Sequence, residues 1–419
     1  MSAIANALSG LQANATAINI VSTNLANLNT SGYKDEQVSF EDLVNQSLTG
    51  FATASSVSGS TTAQGTQQFT QGTLQTTGNP YDAAIQGGGF FVLQDPSTGQ
   101  QVYTRQGNFS VNAAGDLVSA SGQMVQGWNA VNGTLVTSGA TTNIQLPSGL
   151  AQPPIATTAF SLSVDLASNA AVGSAAGTFS SPIQVIDSQG NTHTLTVTYT
   201  ETSANNWSYS VTIPSADVQG GSGTSTTVGS GTLTFDANGN LSSPSSTTGP
   251  VALSIPTLNA TGAPMNVNWN LYSAAGAPLI SQNTTTSANL SNTQNGLQSG
   301  QLSSMSIGND GQVVATFSNG QTENVAQIAL ASVANPSSMV QLDGNSFAPT
   351  GLTAAPVIGT PSTGARGSIT GGSLETSTVD IATEFTNLLT FERGYQANSK
   401  VITTEDQIVQ QTIALIPSA

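Results

Sequence analysis

The stretch VDIATEFTNLLTFERGYQANSKVITTEDQIVQQTIALIP, residues 379–417, carries a seam of apolar side chains at helical spacing. Its polar exceptions are Glu392, Ser399 and Asp406. The apolar members of this C-terminal seam are Ile381, Phe385, Leu388, Tyr395, Ile402, Val409, Ile413 and Ile416. Steps of three, four and seven residues bring them to one side of an α-helix. Because Pro417 cannot continue a helix, we predict one over 379–416, about 57 Å long at ~1.5 Å per residue.

A second seam occupies the N-terminal end of the chain. It consists of Ile4, Leu8, Leu11, Ala15, Ile18 and Leu25, and only Ser22 interrupts it. Amphipathic helices ordinarily pack on the core of their own domain. Here the intervening sequence is typical of strands and turns, so it offers neither helix a local helical domain. We expect the two helices to form a coiled coil with each other and with copies from neighbouring subunits.

The middle of the chain has the alternation of β-strands. Leu195, Val197 and Tyr199 form one alternating run, and a second run follows from Trp207 to Ile213. Turn sequences recur between such runs, because glycine supplies the positive φ that tight hairpins need. They are Asp187–Gly190, Asn112–Gly115, Asp236–Gly239 and Asn309–Gly311. Ser-, Thr- and Gly-rich stretches at 50–66, 217–231 and 242–250 are typical of linkers or exposed loops.

These patterns predict a mainly β, elongated, nested multidomain subunit with paired N- and C-terminal helices. We expect a helical coiled-coil domain from residues 1–30 and 379–419, and a connecting segment from 31–78 and 366–378. An inner β domain then comprises 79–146 and 292–365, with an outer β domain inserted at 147–291. The Pro147–Pro154 and Ser281–Ser291 stretches mark the points where the insertion begins and ends.

Composition excludes several classes of partner. The chain has 5 Lys and Arg against 21 Asp and Glu, so it lacks the basic clusters that bind nucleic acid or anionic lipid. No window reaches the roughly 18 consecutive apolar residues of a membrane-spanning helix, so we predict no membrane insertion. Met1–Leu28 lacks the basic region and apolar run of a secretory signal peptide. If the protein is exported, we expect export without a cleaved signal peptide.

The residues needed for catalysis are scarce. Cysteine is absent, and the single histidine, His193, opens an alternating strand, where we predict a surface or hairpin residue rather than a general base. The acidic residues are scattered, and none of the turns has the carboxylate run and closing Glu of a calcium loop. Gly87–Phe91 lacks the Lys-Ser/Thr of a phosphate loop and is typical of a bend before the buried strand Phe90–Leu93. We predict no catalytic residues, no cofactor and no metal, and therefore no enzyme.

Three stretches form longer and more specific motifs than composition or periodicity explains. The first runs from Asn24 to Lys34 and includes Asn27, Thr30, Gly32 and Tyr33, followed by Phe40 and Asp42. The second is Leu374–Glu375, Val379–Asp380 and Phe391–Asn398, with Arg393, Tyr395 and Asn398 as its marked positions and Lys400 after it. The third is Asp82–Phe91 with Tyr103–Phe109, Gly115 and Leu117. Together the three stretches resemble the flagellar rod/hook axial protein family, which commonly has Asn and Gln where this sequence has Thr378 and Glu392.

The insertion resembles the hook branch of that family. Ile183–Leu195 with Trp207 is similar to the hook branch's outer domain, and Phe317–Gln321 to the strand that returns to the inner β domain. The resemblance implies a subunit that polymerises with itself into a flexible tube between rod and filament, transmitting torque in bacterial motility. It also implies contact with the distal rod protein, the cap and junction proteins, and the type III export apparatus. The implied location is extracellular, in the hook and basal body.

Three other functions remain open on sequence alone. A distal rod protein shares the terminal motifs and differs by the insertion. A surface adhesin or S-layer protein would account for the Ser/Thr-rich, acidic β composition but not for the terminal seams. A glycan-cleaving enzyme would need a pair of carboxylates, and the scattered acids give no such pair.

Overall fold

Two α-helices lie at the ends of the described chain, with β-strands between them. The computed structural model describes residues 2–43, 60–131, 133–147 and 149–414. Helix α1 is Ser2–Ala26 and helix α2 is Ile381–Ala414. Helix α2 begins where Asp380 Oδ1 accepts a hydrogen bond from the backbone N–H of Thr383 at 3.0 Å, as an N-cap carboxylate does. The prediction of a mainly β chain with terminal helices is therefore confirmed, while Ile416 and Pro417 lie outside the described residues.

The strands are short and many. The first eleven are β1 Glu36–Leu43, β2 Ser60–Gln67, β3 Leu74–Thr76, β4 Ala83–Gln86, β5 Phe90–Gln94, β6 Gln101–Thr104, β7 Ser110–Val111, β8 Leu117–Val118, β9 Met124–Val131, β10 Thr134–Leu135 and β11 Thr142–Asn143. The next eleven are β12 Ala151–Gln152, β13 Ala159–Ala167, β14 Thr178–Ile186, β15 Thr192–Ser203, β16 Asn206–Pro214, β17 Ser225–Phe235, β18 Leu241–Ser243, β19 Val251–Ile255, β20 Met265–Asn270, β21 Ile280–Thr284 and β22 Ala288–Gln294. The last nine are β23 Gly300–Ile307, β24 Gln312–Phe317, β25 Thr322–Ile328, β26 Leu330–Ser332, β27 Val340–Leu342, β28 Ser346–Ala348, β29 Val357–Gly359, β30 Ser368–Gly371 and β31 Ser373–Glu375.

The chain divides into two compact units. Unit 1 comprises Met1–Ser148, Ser304–Ala315 and Thr322–Ala419. Unit 2 comprises Gly149–Ser303 and Thr316–Gln321. Unit 2 is thus continuous except for one short returning piece, while unit 1 is assembled from both ends of the chain.

Unit 2 has a core between two five-stranded sheets. One sheet has the order β14-β15-β16-β17-β18, and the other is built around β13, β19, β20, β21 and β22. Trp269 of β20 is fully buried and joins them. Its ring stacks on Phe160 of β13 at a centroid distance of 6.1 Å and meets Tyr209 of β16 edge to face at 5.1 Å. The alternating residues of β15 and β16 point into this core, as their spacing predicts.

The predicted turns connect antiparallel strands. Gly190, Gly115, Gly239 and Gly311 all have φ between +72° and +88°. In the first of these, the Gly190 N–H donates to the Asp187 carbonyl at 3.1 Å and closes the turn between β14 and β15. The prediction of tight turns with glycine at positive φ is confirmed at all four places.

One predicted loop is a strand instead. Residues 217–231 have a linker-like composition, yet 225–231 belong to β17, which pairs with β16. The glycines have a packing role here, because a Cβ on Gly231 would lie 2.5 Å from the Tyr209 hydroxyl and one on Gly229 would lie 2.3 Å from Leu253 Cδ2. The linker prediction also fails at 60–66, which lies in β2, because pairing with β1 orders this polar stretch. Residues 50–59, the first part of the predicted linker at 50–66, lie outside the described residues.

The β part of unit 1 is built on short antiparallel strands. Neighbouring strands follow the order β25-β9-β5-β6-β28-β27, and β26 pairs with both β5 and β29. The rings of Phe69, Phe90 and Phe347 meet edge to face in its core, with centroids 5.3–6.0 Å apart. Strand β5 follows Gly87 and Gly89, whose φ values are +101° and +110°. The predicted bend before a buried strand is confirmed.

Two strand pairs bring the ends of the chain together in unit 1. Strand β3 pairs with β31, and β4 pairs with β30, both antiparallel. These pairs place the segment after α1 beside the segment before α2. The two helices are therefore anchored to the same β structure.

Candidate subunit-packing site

Helices α1 and α2 run antiparallel and contact each other along their length. A Cβ on Gly10 would meet the side chain of Asn398, and one on Gly394 would meet the side chain of Asn14. Further along, Asn24 Nδ2 donates to Glu384 Oε1 at 3.0 Å. For every residue further along α1, the contacting residue of α2 lies one position earlier in the sequence. The pairing is therefore in register over at least 15 residues of α1, from Gly10 to Asn24.

Small side chains form the α1 side of this contact. Ala7, Ala13 and Ala17 are at most 5% exposed, and Val21 is 1% exposed. Small residues allow two helix backbones to approach closely. The helix-to-helix contact within the chain therefore uses a different face from the predicted N-terminal seam.

The side chains of the predicted seam residues are exposed to solvent to varying degrees. Ile4, Leu11, Ile18 and Leu25 of α1 are half-buried, as are Leu388 and Ile402 of α2. The exposed members are Leu8 at 47%, Ile381 at 46%, Phe385 at 52%, Tyr395 at 38% and Val409 at 45%. Leu389, Val401 and Ile408 of α2 are also exposed. The side chain of Ile413 lies outside the described ones.

Asn24 is a fully buried hub where α1 ends. Its Nδ2 donates to the Glu36 carbonyl and to Glu384 Oε1, at 2.9 and 3.0 Å. Its Oδ1 accepts from the Tyr33 hydroxyl and the Glu36 N–H, at 3.2 and 3.0 Å. Every polar position of this amide is satisfied, as a buried Asn requires. The hub fixes α1, the segment after it and the first turn of α2 to one another.

The pKa of Tyr33 reflects the burial and the negative charges around the Asn24 hub. Burial and the carboxylates of Glu36, Asp35 and Glu384 raise the pKa of Tyr33 to about 12. Burial likewise raises the pKa of Glu384 above its ordinary value. The hub therefore lies in a negative local field.

A buried ionic triad lies between the strand pairs. Lys34 Nζ and Glu375 Oε1 are 2.6 Å apart with both side chains fully buried, and Arg105 Nη1 lies 3.4 Å from Glu375 Oε2. The Gly72 N–H also donates to Glu375, and Lys34 to the Thr70 carbonyl. Burial lowers the pKa of both Lys34 and Arg105, and the Glu375 carboxylate opposes that shift. The triad uses two of the five cations in the chain to join its N-terminal, middle and C-terminal segments.

The remaining motif residues are placed around the same junction or on α2. Asn27 Oδ1 accepts from the Thr30 hydroxyl at 3.0 Å after the end of α1. Gly32 has φ +67°, and a Cβ there would lie 2.6 Å from the Arg105 carbonyl carbon, so only glycine fits. Asn398 is half-buried against Gly10, whereas Arg393 and Tyr395 are exposed on α2.

Sequence reasoning did not single out the small residues of the α1–α2 contact or the triad partners Arg105 and Glu375 as site residues. Ala7, Gly10, Ala17, Val21 and Asn24 do have helical spacing, but the larger side chains beside them dominate a hydrophobic pattern. No local pattern marks Arg105 and Glu375 as partners of Lys34, because the three residues are far apart in the sequence.

His193 is a hairpin residue, one of the two placements predicted for it, since it pairs with Val185 across β14 and β15, but it is buried and does not lie at the surface. Its Nε2 lies 3.1 Å from Asp187 Oδ2 and its Nδ1 lies 3.1 Å from Asp217 Oδ2. Asp187 belongs to the turn that precedes β15, and Asp217 lies in a short 3₁₀ turn after β16. The histidine therefore ties two loops of unit 2 together.

Neither of the two described helices is long and apolar enough to cross a membrane. Across the described ranges, no three His, Asp or Glu side chains are grouped so that they could hold a metal ion.

Family models match most of the chain. Residues 163–297 match the Flagellar basal body protein FlaE D2 domain, and 84–165 match the Flagellar hook protein FlgE/F/G D1 domain. Residues 370–415 match the Flagellar basal body rod FlgEFG protein C-terminal, and 4–34 match the Flagella basal body rod protein. The C-terminal match contains all of α2, and the N-terminal match contains α1 from residue 4 onward together with Asn24–Lys34.

Full-length relatives are similar to the whole chain. The Flagellar hook protein FlgE of Escherichia coli strain K12 is 34% identical over 99% of this chain and 100% of its own length. That of Salmonella typhimurium strain LT2 is 34% identical over 98% of both chains. A solved structure, the Helicobacter pylori flagellar hook protein FlgE2, aligns with a TM-score of 0.49 at 16% identity, covering 72% of this chain and 100% of that one.

Proposed function

The chain belongs to the flagellar hook protein FlgE family, and on that premise we propose that the exposed apolar faces of α1 and α2 are the contacts through which it assembles into a tube. It is a structural subunit of the flagellar hook and not an enzyme. Membership implies polymerisation with other copies of itself at the hook and basal body of the flagellum.

The proposal rests on a difference between the two faces of each terminal helix. One face packs in the contact between α1 and α2, and the other exposes apolar side chains to solvent. Alanine, glycine and asparagine residues form the contact between α1 and α2, while the side chains of Leu8, Phe385 and Leu389 are about half exposed. Contiguous apolar side chains on a soluble protein mark a contact surface. Burying them supplies about 25 cal/mol per Å² of apolar area. A coiled coil between helices of adjacent copies would cover them.

The finer organisation follows as part of the same proposal. The helical pair, 1–30 and 379–419, forms the tube's inner wall, and the connecting segment, 31–78 and 366–378, joins it to the β domains. The inner β domain is 79–146 with 292–365, and the outer domain is 147–291. The assembled tube is the flexible joint that transmits torque from rod to filament. Its further partners are the distal rod protein, the hook cap, the hook-filament junction proteins and the export apparatus, which handles the chain without a cleaved signal peptide.

The variant Phe385→Ser tests the apolar face. Fully burying a phenylalanine contributes about 1.5–3 kcal/mol, and Phe385 is 52% exposed in the single chain, so covering the rest contributes about 0.8–1.5 kcal/mol. Its loss should raise the critical concentration for assembly roughly 4- to 13-fold. Sedimentation measures that concentration, and electron microscopy of the pellet shows whether tubes form. The thermal midpoint of the unassembled chain should stay close to the parent's, because Phe385 is 52% exposed there.

The matched control is Thr386→Ser, one residue along the same exposed turn. Ser keeps a hydroxyl for the hydrogen bond that Thr386 makes to the Ala382 carbonyl, so assembly should match the parent. If Phe385→Ser assembles as readily as this control, the outer face of α2 is not a subunit contact. A parent chain that stays monomeric at every concentration contradicts self-assembly itself.

A further inference from the structure

One carboxylate oxygen of Glu384 lies where neither solvent nor a donor reaches it. The side chain is 7% exposed, and its Oε1 accepts a hydrogen bond from Asn24 Nδ2 at 3.0 Å. Its Oε2 is sealed from solvent, and no donor among the described residues reaches it with hydrogen-bond geometry. An ionised carboxylate shares its negative charge between both oxygens, so burying one of them without a donor is unfavourable. The ionised form of Glu384 is therefore poorly accommodated.

The titratable groups that face Glu384 add negative charge or none. Asp35 and Glu36, from the segment after α1, line the same cavity as Glu384. Asp380 immediately precedes α2. The Tyr33 hydroxyl is neutral at ordinary pH, because its pKa is raised to about 12. Helix α1, which packs against this turn of α2, has no charged side chain. Ionisation of Glu384 would therefore add a further negative charge to an acidic surrounding.

The cations of the chain do not offset these charges. Lys34 and Arg105 both interact with Glu375. Arg393, the nearest cation along α2, is nine residues from Glu384, about 13 Å at ~1.5 Å per residue. The start of α2 contributes at most about half a positive charge, and Asp380 already caps it.

A neutral carboxyl group fits the same position. A protonated glutamic acid keeps one oxygen as an acceptor and has its hydrogen on the other. Oε1 then accepts from Asn24 and Oε2 holds the proton. Burial raises the pKa of Glu384, and Asp35 and Asp380 add to this effect, against the hydrogen bonds of Asn24 and Asn387. Asn387, one turn further along α2, also offers an amide oxygen that can accept from a protonated carboxyl.

We propose that Glu384 is a proton-sensitive link between α1 and α2, which holds the junction together while Oε2 is protonated and loosens it when the proton leaves. With the proton bound, Glu384 joins Asn24 of α1 to the first turn of α2 without an unpaired charge. Once ionised, the carboxylate is repelled by Asp35, Glu36 and Asp380 and is stabilised by turning toward solvent, away from Asn24. This inference concerns the single chain and does not depend on assembly.

The sign of the pH dependence is opposite to that of an ordinary paired carboxylate. Because the folded pKa of Glu384 is the higher one, the stabilisation is complete below the unfolded pKa of about 4.3. It is lost as pH rises through the folded value. The junction between the helices should therefore be tightest in mild acid.

NMR of the unassembled full-length chain, with ¹³C at the side-chain carboxyl of glutamate, measures the proton on Glu384 directly. The resonance that disappears in Glu384→Gln belongs to Glu384. A titration over pH 5–8 stays above the isoelectric point of about 4.1. An ordinary glutamate is largely ionised throughout this range, whereas the Glu384 resonance should still move along a titration curve. A Glu384 resonance that is already at its ionised position at pH 5 overturns the proposal.

Amide hydrogen exchange measures the loosening of the junction. In the parent, protection of the amides of residues 385–391, corrected for intrinsic exchange, should fall from pH 5 to pH 8. The fall should be about 10-fold for each unit by which folding raises the pKa of Glu384. Glu384→Gln keeps an uncharged oxygen for Asn24 at every pH, so its protection should stay constant.

Glu392→Gln is the matched control, because Glu392 is exposed on the same helix. Its protection should fall with pH as that of the parent does. An equal fall in Glu384→Gln and the parent would assign the loosening to another group and overturn the proposal. Protection that is constant with pH in the parent would overturn it as well.

Discussion

Single buried polar residues hold together segments that are far apart in this sequence. Lys34, Arg105 and Glu375 come from three regions of the chain and meet away from water. Removing one partner of such a group typically costs several kcal/mol, since it leaves an uncompensated buried charge. Because the chain has so few charged residues, these three contribute much of the specificity with which distant segments of the sequence pair.

At the residue scale, Asp187 makes unit 2 sensitive to acid. Burial opposes ionisation of this carboxyl, but hydrogen bonds from Asn191, His193 and Gln189 outweigh it and hold its pKa below the ordinary value. Because the folded pKa is the lower one, the stabilisation is complete above the unfolded pKa of about 3.9 and is lost as pH falls through the folded value. The variant Asp187→Asn should lose about 1.5–3 kcal/mol at neutral pH.

Denaturant unfolding of the parent and Asp187→Asn across a pH series measures this. The difference in unfolding free energy should be largest above about pH 4 and should narrow in stronger acid. Asp343→Asn, at an exposed carboxylate, serves as the control and should stay within about 0.5 kcal/mol of the parent. A difference for Asp187→Asn that is constant with pH would mean that its charge does not matter.

At the element scale, glycines in strand β17 decide how it packs. Gly231→Val should strain the contact with Tyr209, because a Cβ would lie 2.5–2.8 Å from the ring atoms and hydroxyl. Overpacking of this kind costs about 1–3 kcal/mol. Ser230→Val, one residue earlier and exposed, adds the same β-branched side chain and should change the unfolding free energy little. Equal effects from the two variants would show that the close approach of Tyr209 is unimportant.

The same strand shows where sequence reasoning reaches its limit. Regular alternation in β15 and β16, glycine turns and both terminal helices were predictable, because each has a local signature. The Gly- and Ser-rich start of β17 has the signature of a loop, and its glycines are explained only by side chains distant in sequence, Tyr209 against Gly231 and Leu253 against Gly229. At the candidate site, the large apolar side chains were predictable. The face that α1 presents to α2 was not, because it depends on how closely two backbones approach.

At the scale of the whole molecule, the net negative charge of each subunit predicts how assembly responds to salt. Each subunit carries a net charge of −16, and the proposed contacts are apolar. Adding NaCl from about 0.01 to 0.15 M shortens the screening length from about 30 to 8 Å, which reduces repulsion between copies. The critical concentration measured by sedimentation should therefore fall as salt rises. A polymer that dissolves with added NaCl would show that ion pairs between subunits hold it.

The in-register pairing of α1 with α2 restricts how chain length can vary. Deleting one residue from α1 turns everything beyond it by about 100°, which would carry Ala13 and Ala17 away from α2 and replace them with bulkier neighbours. A matching deletion in α2 at the opposing level would restore the alignment. Length variation is therefore tolerated in the hairpin turns of the β-rich middle, whereas the helical ends can change only by coordinated gains or losses.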